Sequence, residues 1–210
     1  MRILVIVLLV VGLFCSPVLA AERIAVSPAT FVELTLPAGW VLLQEPPTAM
    51  VEEMAEHLGH DAEAKGHDPS PEQLIAMARK HLAANEAIIY HEQTGANLTI
   101  DFSPLHDDES PPGAKTVKTS AEYALQSLET EEGVTEFTAS QHDIRIPGAK
   151  HAARIDSSYK QHDEAIDFTG IVGYAAENWF FLYFTNPGRS DTVHQEFEQL
   201  LAELKIVPKM

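Results

Sequence analysis

Residues 166–185 read Ile166-Asp167-Phe168-Thr169-Gly170-Ile171-Val172-Gly173-Tyr174-Ala175-Ala176-Glu177-Asn178-Trp179-Phe180-Phe181-Leu182-Tyr183-Phe184-Thr185. Successive side chains of an extended strand point to opposite faces. Ile166, Phe168, Val172 and Tyr174 therefore share one face, and Ile171 and Ala175 the other. Beyond Glu177-Asn178, which reads as a tight turn, Trp179, Phe181 and Tyr183 face one way, and Phe180, Leu182 and Phe184 the other. A strand that is apolar on both faces needs a covering layer on each. The hairpin is expected at the centre of its sheet, and its Trp179/Phe181/Tyr183 face is expected to be core rather than a ligand platform.

Outward from the hairpin, Asn186-Pro187-Gly188 breaks the strand, and Ser190 or Asp191 caps a helix. Val193, Phe197, Leu200, Leu201 and Leu204 recur at helical spacing and lay one stripe on the sheet. Lys205-Ile206-Val207 reads as a short closing strand ended by Pro208. On the other side, residues 151–161 form a strand with Ala153, Ile155 and Tyr159 on one face, turned into the hairpin by Asp163-Glu164. Pro147-Gly148 separates it from a long strand, 134–146. The apolar phase of that strand shifts between Phe137/Ala139 and Ile144/Ile146, which predicts a bulge.

Thr119-Ser120-Ala121-Glu122 has the form of a capping box and predicts a helix through Glu129. The polar, proline-rich stretch 106–115 reads as an exposed loop. Strands 87–91 and 97–102 join near Thr94-Gly95. Ser70-Pro71-Glu72-Gln73 starts a helix whose apolar stripe is Leu74, Met77, Ala78 and Leu82. Thr48 caps a shorter helix with Val51, Met54, Ala55 and Leu58 on one side and Gly59 at its end, leaving 60–69 as a loop. A strand at 31–36 runs into the turn Pro37-Ala38-Gly39, which delivers Trp40 followed by Val41-Leu42-Leu43, and Pro46-Pro47 closes the unit. Hairpin connections dominate, so the expected class is α+β: an antiparallel sheet of about six strands with helices on both faces. No repeat or linker divides residues 21–210, and a single domain is expected there.

Residues 1–20 are of another kind. Arg2 supplies a positive start, Ile3 to Phe14 an apolar core, and Val18-Leu19-Ala20 a small-residue cleavage site ahead of Ala21. The run is short for a bilayer span. A cleaved secretory signal is expected, with an uncleaved anchor as the alternative. The mature chain is then periplasmic or secreted and carries no transmembrane segment. The only cysteine, Cys15, leaves with the signal, which excludes disulfides, thiolate metal sites and cysteine nucleophiles. Loss of Arg2 takes the formal net charge from −17 to −18. Such a surface disfavours nucleic acid and anionic lipid and favours cations or basic partners, besides keeping the protein soluble.

Between Glu52 and Asp68 stand Glu52, Glu53, Glu56, His57, His60, Asp61, Glu63, His67 and Asp68. Imidazoles and carboxylates together suit zinc, copper(II) or nickel. His57, His60, His67 and Asp61 are the candidate metal ligands, although the spacing matches no established signature, and a solvated acidic helix end and loop is the preferred reading of the stretch. Histidine precedes aspartate at 60–61, 67–68, 106–107, 142–143 and 162–163. Adjacent residues on a strand point to opposite faces, so the pairs at 142 and 162 cannot act together. His81, beside its helix's apolar stripe, is expected to be partly buried. No nucleophile elbow, phosphate loop or dinucleotide fingerprint is present.

The strand ending in Leu36-Pro37-Ala38-Gly39-Trp40, the hairpin 166–185 and the helix Phe197-Glu198-Gln199-Leu200-Leu201-Ala202-Glu203-Leu204 together resemble the PsbP-like family. Its fold is shared by the extrinsic photosystem protein and by bacterial periplasmic proteins of the DcrB type. The resemblance covers most of residues 21–210 in outline. It implies an antiparallel sheet sandwiched by helices, and an accessory or binding role rather than catalysis; it carries over no catalytic or cofactor residue. Three functions are weighed: a non-enzymatic exported binding or accessory protein with an unknown protein partner contacting loops 59–69 and 106–115, a periplasmic metal-binding protein, and a periplasmic hydrolase.

Overall fold

The computed structural model describes residues 20–208 except 29, 107, 132 and 162, and only the backbone of 20, 61 and 64. The expected signal segment, residues 1–19, lies outside the described residues, as do Asp107 and His162. Strands β1 (Ala20–Ser27), β2 (Thr30–Leu36) and β3 (Trp40–Leu43) lead into helices α1 (Thr48–Ala64) and α2 (Pro71–Leu82). Strands β4 (Ala87–His91) and β5 (Asn97–Pro104) precede α3 (Ala114–Glu129). A four-strand meander follows: β6 (Val134–Asp143), β7 (His151–Gln161), β8 (Glu164–Ala175) and β9 (Asn178–Pro187). Helix α4 (Asp191–Glu203) and strand β10 (Lys205–Pro208) close the chain.

The main sheet is antiparallel, in the order β3-β4-β5-β9-β8-β7-β6, with the aromatic hairpin β8–β9 in its interior as its two-faced pattern requires. One face carries Leu98, Ile100, Ile171, Phe180, Leu182 and Phe184. It packs against α4 (Phe197, Leu200) and against a second, three-stranded sheet, β1-β2-β10, through Val32, Leu34 and Ile206. Phe184 and Phe197 stack with centroids 4.0 Å apart. Charged groups flank that stack. Trp40 donates its indole N–H to Glu196 at 2.9 Å, and Arg154 forks onto Glu198, with one arm at 3.1 Å. The opposite face carries α3 over β7 and β8, where Val117 and Ala121 meet Ala153, Ile155, Val172 and Tyr174. Also on that face, the α1–α2 pair covers Ile88 of β4.

Several boundaries differ from the expectation. The small sheet removes β2 and β10 from the main one, and it includes β1, whose apolar alternation (Ile24, Val26) is too brief to stand out. Helix α1 runs through Gly59 to Ala64, because Gly59 does not stop the helix but admits Leu74 of α2. A Cβ there would lie 3.3 Å from the Leu74 Cδ1. Helix α3 starts at Ala114 behind Gly113, so the box at 119–122 is helix interior, placing Ala121 one turn beyond Val117 on the buried face. The β6 bulge sits between Thr135 and Thr138, where Glu136 has φ +52°. The phase shift at Ile144/Ile146 marks the strand's end instead, with Ile146 folded into the core.

The turn at Pro147-Gly148 is pinned to the last strand: the Ile206 N–H donates to the Pro147 carbonyl at 2.8 Å. Gly148 has φ +89°, and a Cβ there would stand 1.8 Å from the Ile206 carbonyl oxygen. Gly148→Ala is therefore expected to lower the urea midpoint and release β10. Phe184→Ala, which empties half of the buried ring stack, is expected to cost about 3–5 kcal/mol in the same measurement.

Candidate functional site

The extension of α1 decides where the histidines go. His57 points toward Glu131 beyond α3, with Nδ1 3.6 Å from its Oε1. His60 lies 4.0 Å from Glu56 one turn back. His67 follows the helix end, and His60 and His67 line one open depression of about 630 Å³ with Glu56, Glu63 and Asp68. His57 does not line it, and the Asp61 side chain lies outside the described residues. Among the described residues, no three His, Asp or Glu side chains converge as a metal site. The Glu53 carboxyl is raised above its ordinary range, by partial desolvation first and then by Glu164 and Glu56, with His57 opposing, while the residue itself stays exposed.

Other histidines fall where strand and helix geometry puts them. His142 turns to Asp156 (3.6 Å) while its neighbour Asp143 pairs with Lys118 (3.0 Å), so the sequence pair does split across the strand. His81 is exposed on α2 rather than partly buried.

A second site lies on the face shared by α1, α2 and α3. The apolar residues there form two separate clusters, one under α3 and one under α1–α2. The two clusters are bridged at one end by His57 of α1 and Glu131, just past α3. Strands β5 and β9 floor the trough between them. Trp179, Phe181 and Tyr183 stand along β9 in a stacked row with centroid separations of 6.4 and 6.1 Å, and Phe168 of β8 joins Tyr183 at 6.0 Å. All four rings are half-buried: Phe168, Trp179 and Phe181 pack against the cluster under α3, as expected of a core face, and each keeps one part exposed. The loop after β5 reaches the open end, where Glu109 accepts the Trp179 indole N–H at 2.9 Å.

Across from these rings, β5 places polar groups. Its register sets Thr99 opposite Tyr183, Asp101 opposite Phe181 and Ser103 opposite Trp179. Burial raises the Asp101 carboxyl, outweighing the Phe102 amide and His81, which act the other way. Burial likewise raises the adjacent Glu86, and Asp101 adds to the shift; Glu86 accepts the Phe102 N–H at 2.7 Å. The Tyr183 hydroxyl is pushed up to about 12, by burial first and then by Asp101. The trough thus joins an aromatic floor to two carboxylates held partly away from water. Sequence reasoning missed it because Thr99 and Asp101 alternate with Leu98, Ile100 and Phe102 as on any solvent-facing strand; the signal was the mismatch with the aromatic strand beside them.

A raised carboxylate favours the protonated fold. That stability is fully present below the ordinary Asp value of 3.8 and is lost as pH rises through the raised one. Asp101→Asn is accordingly expected to raise the melting temperature at pH 7 and to leave it unchanged below pH 3.8. A lower melting temperature at pH 7 would count against the desolvation of Asp101.

Neither a protein-family model nor a curated protein matches the sequence. Among solved structures, the chain is similar to LpqN of Mycobacterium tuberculosis, described as involved in cell envelope biogenesis. The TM-score is 0.53 at 15% identity, over 91% of this chain and 92% of that one. It also aligns with the cyanobacterial PsbP (CyanoP) of Synechocystis sp. PCC 6803, with a TM-score of 0.47 and 11% identity over 84% and 86% of the two chains. The likeness to LpqN is one of fold. The architecture expected from the sequence, an antiparallel sheet with helices on both faces, is the one this chain adopts, with a second sheet joining α4 on one face.

Proposed function

We propose that the chain is an exported, envelope-associated accessory protein that works by binding, with residues 21–210 as its single domain and the trough over β5 and β9 as its binding surface. The observation that carries this reading is the half-open row Trp179, Phe181 and Tyr183. The cluster under α3 covers these rings from one side, while the cluster under α1–α2 includes none of them. Rows of half-covered rings with a few convergent polar groups are the usual make-up of ligand sites. The fold shared with LpqN, described as involved in cell envelope biogenesis, favours a role in the envelope, as does the signal-like start of the chain. Among the described residues, no helix is long and apolar enough to cross a membrane.

Nile red, a neutral apolar dye, tests the trough. The chain from Ala21 is expected to bind it saturably at one site, and Trp179→Ala and Phe181→Ala to weaken binding about tenfold each at retained fold. Absence of saturable binding, or affinity unchanged in both variants, would remove the proposal.

A second reading has its own support. His60 and His67 share one depression with Glu56, Glu63 and Asp68, donors of the kind that hold zinc, copper(II) or nickel. A calorimetric titration with each ion is expected to give one-to-one binding that His60→Ala or His67→Ala abolishes. His57→Ala, facing Glu131, should leave it intact. Weak multi-site binding unchanged in all three variants would mean an acidic, histidine-bearing surface and nothing more.

A further inference from the structure

The trough's chemistry narrows what it takes, granted that it is the binding surface proposed above. Its floor is aromatic from Trp179 to Tyr183, with Phe181 as the middle ring. Its one polar flank is β5. Asp101 stands directly across from Phe181, between Thr99 and Ser103, with Glu86 beside it. Among the described residues, the cation-forming side chain acting on Asp101 is His81, which is exposed on α2. Arg79 and Glu86 line the neighbouring hollow at the end of α2, outside the aromatic row. Glu109 accepts the Trp179 indole N–H at one end of the row, so the charged groups beside the row itself, Asp101 and Glu109, are both carboxylates.

We infer that the trough binds an apolar molecule bearing a cationic group, the apolar part lying on the rings that flank Phe181 and the cation meeting Asp101 beside it. A carboxylate partly removed from water gains most from a partner that brings full opposite charge, and the same partner relieves its repulsion with Glu86. An anionic head would face two like charges at close range. A neutral head would leave Asp101 as costly as before.

Three amphiphiles with one tail separate tail binding from head recognition: dodecyltrimethylammonium, dodecyl maltoside and dodecyl sulfate, each below its micelle concentration. They are titrated into the chain from Ala21. Trp179 emission is the readout, because the other tryptophan, Trp40, is buried against Glu196. The cationic amphiphile is expected to bind about tenfold tighter than the neutral one, and the sulfate more weakly than both. Asp101→Asn should bring the cationic and neutral affinities together, while Glu203→Gln, at an exposed site on α4, should leave the difference standing. Equal binding of the cationic and neutral amphiphiles to the unaltered chain would overturn the charge inference and leave the trough reading intact. Equal weakening by Glu203→Gln would assign the preference to the protein's overall negative charge and overturn it as well. Binding of none of the three would remove both.

Discussion

Strand β9 carries large side chains on both faces, and the two faces meet different neighbours. Toward α4, its partners across β5 are Leu98, Ile100 and Phe102, and across β8 Thr169, Ile171 and Gly173; the one polar group, Thr169, is hydrogen-bonded to Asp156, so a helix and a second sheet can close over them. On the opposite face the same strand stands beside Thr99, Asp101 and Ser103. A helix laid flat there would bury an ionised carboxylate, a cost of several kcal/mol without a matching cation. The helical cover therefore divides, α3 over β7 and β8 and α1–α2 over β4, and β5 and β9 are left as a floor. One polar strand beside one aromatic strand is enough to turn a sandwich face into a trough.

The closed face gives the open one something rigid to stand on. Helix α4 is held by the Phe184–Phe197 stack at its centre and by Glu196 and Glu198 at its flanks. The Arg154 side chain is 11% exposed and shared between Glu198 and Asp156. Thr169 donates to that same aspartate at 2.7 Å, tying α4, β7 and β8 into one network. Such partly exposed ion pairs add modestly to stability, and the ring stack outweighs them. Their value is directional: they fix where α4 lies, and with it the three-stranded sheet that rides on the same core. Binding surfaces gain from such an arrangement, since rings on a sheet strand lose little freedom when a ligand arrives.

What the sequence disclosed follows from how local each signal is. The central position of β8–β9 was legible because a two-faced apolar pattern has one solution. The Ser190 cap and the stripe from Val193 to Leu204 marked α4 for the same reason. The start of α3 was hidden because Gly113 offers no capping side chain, while a better-looking box stood inside the helix. Gly59 misled in the opposite direction: the lack of a side chain that often ends a helix here serves a close helix–helix approach. Continuing the helix past Gly59 also separates His57 from His60, neighbours in sequence that face Glu131 and Glu56 respectively. The trough could not be read at all, because it depends on β5 lying beside β9, a pairing of segments far apart in the chain.

Asp101 differs in kind from the other carboxylates of this acidic chain. An exposed Glu or Asp keeps the protein soluble at almost no cost to folding, so their number says little about function. Asp101 is half-buried, and loss of water raises its carboxyl above the ordinary range, so its charge is held less favourably there than at an exposed site. Asparagine would fill the same space, keep hydrogen-bonding capacity and remove the penalty. Core packing gives no reason for the charged residue, and neither does solubility, since the surface is already strongly negative. A desolvated carboxylate beside a concave or aromatic surface is a candidate for a functional contact. The aromatic row beside it is where such an interaction would be formed.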